Sequence, residues 1–198
     1  MIAIVSDDGK SISFTHNGKK LSRREGFQRL EIGKAECLRE GSDVAILGVG
    51  PLLYKAKEAA DILQQQGISA AVANMRFVKP LDVDMIKRLS HVKLMVTVEE
   101  NSLVGGFGSA VAEYLMDSGL SRNLDLLRLG LPDKFIEQGT QEELLTLCGL
   151  QPEQMAMKIK ERLNRLHIYN NYENLVLRER IHLKRWFFSC FLICIHKR

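Results

Sequence analysis

Four apolar runs, each leading into a stretch with helical spacing, constrain this chain more than any other feature. They are DVAILGVG (Asp43–Gly50), ISAAVANM (Ile68–Met75), KLMVTVEE (Lys93–Glu100) and LDLLRLGLP (Leu124–Pro132). A short apolar run bounded by turn residues fits a strand covered on both faces. After the first run, Pro51 suits the opening turn of a helix reaching about Gln66. Its apolar positions Leu52, Leu53, Ala56, Ala59, Ala60 and Leu63 fall on one stripe, and Gly67 stops it. Asp82 can cap a helix through about Ser90, and a third helix is expected from about Ser109 to Asp117. Thr140 caps a fourth with Glu142 and Glu143 in its first turn, where acids favour the helix dipole, and Gly149 ends it. Pro152 begins a last amphipathic helix carrying Met155, Ile159 and Leu163. Strand and helix alternating through short connections predicts an α/β fold with three layers, α/β/α. The sheet has about five strands, mostly parallel, with IGKAECLREG (Ile32–Gly41) as an antiparallel edge strand.

The ends of the chain follow a different pattern, which splits it into three parts. Residues 1–29 read as an irregular extension, with a short strand, a turn at Asp8-Gly9 and a second strand as its only regular features, and NGKKLSRREGFQR as loop. Residues 30–166 form the α/β domain. Residues 167–198 are a basic and apolar tail. The formal net charge of +4 belongs wholly to that tail: from residue 169 onward there are six basic and two acidic side chains. The body is therefore neutral, which argues against a nucleic-acid partner, since that needs a basic face on the folded domain. WFFSCFLICI (Trp186–Ile195) is about half the length needed to cross a membrane. It reads as a stretch added by a shifted reading frame or gene-model error, not selected to fold; an interfacial membrane helix or an oligomer segment are the alternatives. Cys37, Cys148, Cys190 and Cys194 form no CxxC pair and read as free thiols of a reducing compartment. No N-terminal apolar segment reads as a signal peptide.

The stretch most suggestive of chemistry is TVEENSLVGGFGSAV (Thr97–Val111), in which two acids and three glycines separate a strand from a helix. Such loops can cradle phosphates, but this one fails the fingerprint. Gly106 and Gly108 fit G-x-G, whereas Val111 stands where a third glycine or alanine belongs. No lysine follows to make a P-loop. Glu99 and Glu100 point to opposite faces at strand spacing, so they need not form a carboxylate pair. They read as hydrogen-bond partners for loop amides or for a neighbouring subunit. Ser109 lacks the flanking residues of a nucleophile elbow. His91 reads as solvated or capping, and no metal-ligand spacing appears. No catalytic, cofactor-binding or metal-binding residue is therefore assigned. The expected functional surface is an interface loop: Glu99, Glu100, Asn101, Gly105, Gly106, Gly108 and Ser109. Arg76 and Lys79 join it from RFVKPLD (Arg76–Asp82), where Pro80 holds Lys79 extended; plain solvated charge is the alternative for these two.

Three segments carry a resemblance. MRFVKPLD (Met75–Asp82), VTVEENSLVGGFGSAV (Val96–Val111) and LGLPDKFIEQGTQEEL (Leu129–Leu144) resemble the C-terminal domain of transketolase-like enzymes, in the order and spacing of the 1-deoxy-D-xylulose-5-phosphate synthases. With LEIGKAECLREGSDVAILGVG (Leu30–Gly50) the similarity covers about residues 30–166. The resemblance implies an enzyme that condenses pyruvate with glyceraldehyde 3-phosphate, releases CO2 and feeds isoprenoid and thiamine synthesis. It also implies thiamine diphosphate and Mg2+ in the complete homodimeric enzyme, held by upstream domains whose motifs this chain lacks. The expectation is a fragment that packs against those domains and the second subunit, binds no cofactor alone and is inactive alone. A bacterial source would place it in the cytoplasm, a plant or algal source in a plastid. A non-catalytic protein-binding module, or a piece of a transketolase or ketoacid dehydrogenase β-type subunit, are the alternatives.

Overall fold

The structure is a computed structural model describing residues 30–168 in full and, before them, the backbone of three short strands. The chain divides into two compact units, one up to Glu31 and one from Ile32. In the first unit, β1 (Ile2–Val5), β2 (Ile12–His16) and β3 (Lys19–Lys20) form an antiparallel sheet in that order. The first two strands stand where the sequence suggested. Lys19–Lys20, expected as loop, pairs with Thr15 and His16 instead. The turn expected at Asp8-Gly9 and the tail from residue 169 lie outside the described residues.

The second unit is the expected three-layer sandwich. Its strands are β4 (Glu36–Arg39), β5 (Val44–Gly48), β6 (Ala70–Asn74), β7 (Leu94–Ser102) and β8 (Asp125–Leu131). Their order is β4-β6-β5-β7-β8, with β4 antiparallel to β6 and every other pair parallel. In the register, Glu36 at the start of β4 stands beside Asn74 at the end of β6. The helices are α1 (Leu52–Gln65), α2 (Val83–Leu89), α3 (Phe107–Asp117), α4 (Gln141–Cys148) and α5 (152–168).

Period-two alternation sorts the strand side chains between two cores. Val44, Ile46, Val72, Val96 and Val98 pack with Leu63 of α1, Leu145 of α4 and Met155, Ile159 and Leu163 of α5. Ala45, Leu47, Ala71, Ala73 and Met95 pack with Ile86 and Leu89 of α2 and Phe107, Val111 and Leu115 of α3. The apolar stripes read from the sequence are the buried ones, and each fully buried Val, Leu or Ile adds about 1.5–3 kcal/mol over exposure. Local signals set the boundaries. The Asp82 carboxylate accepts Met85 N–H at 3.0 Å and Ala35 N–H at 2.7 Å, capping α2 and fastening the segment before β4. Thr140 and Glu143 cap each other reciprocally at the start of α4, and Gly149 ends that helix at φ 70°.

After β5 the chain goes to one side of the sheet for β6, then crosses to the other side for β7. The loop after β5 therefore runs to α1 on one face, while the loop after β7 runs to α3 on the other. Such a reversal opens a crevice at the C-terminal end of the strands, where sheets of this kind place their working surface.

Candidate functional site

Side-chain alternation along β7 decides the geometry of that end. Val96 and Val98 face the core of α1, α4 and α5, so Thr97 and Glu99 face α3, and Glu100 turns toward α4. Glu99 is fully buried. One carboxylate oxygen accepts the N–H of Phe107 and the other that of Gly108, each at 2.7 Å. These are the first two residues of α3, whose N–H groups have no partner within the helix. Helix N-termini attract anions through such donors and the helix dipole. Here the chain supplies that anion itself.

The glycines make the closure possible. A Cβ on Gly106 would lie 2.3 Å from Glu99 Oε2 and 2.3 Å from the Ser102 carbonyl oxygen. A Cβ on Gly108 would lie 2.5 Å from Thr97 Oγ1. Gly105 takes φ 70°, in the left-handed region that favours glycine. Around them the Ser109 hydroxyl donates to the Leu103 carbonyl at 2.9 Å and accepts Gly105 N–H at 3.2 Å. Arg128, from β8, donates through Nη1 to the same carbonyl at 2.8 Å and to Ser109 Oγ at 3.0 Å. Glu100 accepts from Gln141 Nε2 at 2.7 Å, tying the loop to the start of α4.

This arrangement does not fit a diphosphate. The amide donors that would hold one are taken by Glu99, and an added anion would meet that carboxylate at close range. Among the described residues no group of three or more His, Cys, Asp or Glu is placed to hold a metal ion.

Comparison with known proteins places the fold. The family model described as "Transketolase, C-terminal domain" matches residues 33–155. The chain belongs to the transketolase C-terminal domain family. This transketolase C-terminal domain is 49% identical over 136 residues to the 1-deoxy-D-xylulose-5-phosphate synthase of Synechocystis sp. (strain ATCC 27184 / PCC 6803 / Kazusa), a match covering 68% of this chain and 21% of that protein. The synthase of Synechococcus sp. (strain JA-2-3B'a(2-13)) is 50% identical over 137 residues, covering 69% and 21%. Among solved structures, one titled "Split gene transketolase, inactive beta4 tetramer" superposes with a TM-score of 0.63 at 34% identity, covering 69% of this chain and 44% of that one. The chain thus spans about a fifth of the length of these curated relatives.

Not all nine residues expected at the surface of this domain are there. Glu99 and Gly108 are buried and spent on closing the loop. Gly106 is half-buried against Glu99. Arg76 is no free surface charge: it is half-buried, in left-handed backbone at φ 57°, with its guanidinium on Glu36. Ser109 is held by the bonds above. Asn101, Gly105 and Lys79 are exposed and Glu100 half-exposed, all at the C-terminal end of the sheet. The Lys79–Pro80 peptide is cis. His91 is exposed, with Nδ1 3.0 Å from the Arg88 carbonyl at the end of α2. Cys37 and Cys148 are free thiols, and burial together with the Glu40 carboxylate pushes the Cys37 thiol up. Arg128 was missed by sequence reasoning. A single arginine in an apolar strand carries no local sign that it will reach the preceding loop.

Proposed function

We propose that this chain is the C-terminal domain of a 1-deoxy-D-xylulose-5-phosphate synthase, working as a packing and dimerisation domain and inactive by itself. The observation that carries this is about 50% identity to such synthases along a match confined to about a fifth of their length. The closed loop supports it. Glu99 fills the helix terminus where a phosphate would otherwise bind, leaving a firm surface in place of a ligand cleft. In this reading thiamine diphosphate, Mg2+ and the condensation of pyruvate with glyceraldehyde 3-phosphate belong to the upstream domains. The chain's contribution is to hold those domains and the second subunit in position. The solved structure titled as an inactive β4 tetramer of a split-gene transketolase favours a second form of the same idea, in which such a piece acts as a separate subunit.

The test is an activity measurement in trans. The chain alone, the Synechocystis synthase lacking its matching region, and their mixture are assayed for 1-deoxy-D-xylulose 5-phosphate. The proposal expects product only from the mixture. Turnover by the chain alone, or a mixture no more active than the shortened synthase, would overturn it.

A further inference from the structure

Exposed apolar side chains are distributed unevenly over the two ends of the sheet. At the C-terminal end, the loop after β6 exposes Val78 (45%), the loop after β7 exposes Val104 (63%) at its tip, and the loop after β8 holds Phe135 entirely in solvent. Tyr54, in the first turn of α1, adds a fourth at 39%. At the opposite end, the described loops 40–43, 66–69, 90–93 and 118–124 expose no large apolar side chain, and Met116 and Ile168, in the last turns of α3 and α5, stand exposed there with no exposed Phe, Tyr or Trp among the described residues of that end. That end has a groove of about 430 Å³ in which Asp43, His91, Lys93 and His167 stand beside Ile68 and Leu163. β6 and β8 lie three strand spacings apart, about 14 Å, so the anchors fit inside one standard protein interface of roughly 800 Å² per partner. Charges of both signs surround them: Lys79 and Lys134 against Glu100, Asp133 and Glu137. An apolar centre with a mixed-charge rim matches a protein surface, whereas nucleic acid requires one sign.

We propose that Phe135 and Val104, with Val78 and Tyr54 beside them, are the anchors by which this domain docks onto the catalytic portion of the synthase. This rests on the function proposed above, and the four fifths of the relatives' length that the chain does not span supply the occupant. The two anchors are presented differently. Val104 sits on a loop stiffened by Glu99, Ser109 and Arg128, so it loses little freedom on docking. Phe135 is an aromatic ring with no contact to lose within its own domain, and a fully exposed ring gains most from a partner pocket.

The test measures binding of the full 198-residue chain to the Synechocystis synthase lacking its matching region. Circular dichroism checks each variant's fold. The wild-type chain binds; Phe135→Ala and Val104→Asp each weaken binding at least tenfold; Met116→Asp, on α3 away from this end, stays within twofold. If Val104→Asp fails to fold, Phe135→Ala decides alone, because that side chain supports no core. Wild-type binding that Phe135→Ala leaves unchanged refutes the anchors while the proposed function stands. Absence of wild-type binding refutes both. Sedimentation of the chain alone as a dimer that Phe135→Ala dissociates, without binding to the synthase, assigns the surface to a second copy and overturns the proposal.

Discussion

Replacing Glu99 by glutamine should destabilise the domain far more than its position beside a glycine-rich loop would suggest. In the wild type two carboxylate oxygens accept two helix-terminal N–H groups, both at 2.7 Å and out of contact with water. Glutamine retains one acceptor and turns an NH2 group toward the other donor. A hydrogen bond to a charged group contributes about 1.5–3 kcal/mol, and a buried donor left unpaired costs about 1–3 kcal/mol. The lost interaction between carboxylate and helix dipole adds about 0.3–1 kcal/mol. These terms overlap, so the expected loss is about 3 kcal/mol, a large share of the roughly 5–15 kcal/mol that stabilises a typical domain. Urea unfolding of the full chain at neutral pH, followed by circular dichroism and extrapolated to water, measures it. Hydrogen exchange at Phe107 and Gly108 should accelerate in the same variant. In Glu99→Ala, added formate should recover part of the loss by occupying the vacated helix terminus, and should do less for the wild type. A loss below about 0.5 kcal/mol for Glu99→Gln, the range of an ordinary surface change, would show that the carboxylate does not hold α3 in place.

Gly108→Ala should reverse the usual helix rule. Alanine normally gains up to about 1 kcal/mol over glycine in a helix, but a Cβ here meets Thr97 Oγ1 at 2.5 Å and Arg128 Cδ at 3.1 Å, so a loss of about 1–3 kcal/mol is expected and urea midpoints decide it. Thr97→Val removes a buried hydroxyl with no hydrogen-bond partner, so the variant should be neutral to about 1 kcal/mol more stable; a clear loss by the same assay would mean the hydroxyl has a partner in solution. The Arg162 guanidinium hydrogen-bonded to Asp125 holds that carboxyl below the usual carboxylate range. A folded-state value below the unfolded one stabilises the fold fully above about pH 4 and ceases to do so as pH falls through the folded value. The deficit of Asp125→Asn relative to wild type should therefore be present at neutral pH and shrink as pH falls below about 4, and unfolding curves taken from neutral into acid would show whether it does.

The elements most legible from the sequence are those whose signals are local. Pro51, Thr140 and Gly149 punctuate their helices where expected, because capping acts within one turn. β5, β6 and β7 are covered on both faces and read as unbroken apolar runs for that reason. The misplacements come from partners distant in sequence. The expected start of α3 at Ser109 is two residues late, because its cap lies eight residues upstream of Phe107, across a turn. Adjacent acids next to a glycine loop read as partners for its amides, and Glu99 does accept the Phe107 and Gly108 N–H groups, while alternation leaves Glu100 at the rim. Lys19–Lys20 looks like polar loop because a two-residue strand has no periodicity to detect. The glycines were correctly read as permitting a close backbone approach, but what approaches, the chain's own carboxylate, is decided only once β7 and α3 are packed together.

The reversed direction of β4 bears on how this domain is tethered. Because Glu36 stands beside the last residue of β6, polypeptide enters the sandwich at the end of the sheet that bears Val104 and Phe135. Had the first strand run parallel to its neighbours, the entering chain would have had to span the five-residue depth of the sheet, about 16 Å, to reach that end. The second unit instead begins, at residue 32, at the same end of its sheet as Val104 and Phe135. Short leashes raise the effective concentration of joined surfaces to the millimolar range, so even a weak contact at this end would be nearly saturated when covalently linked and would depend on dose when supplied as separate chains.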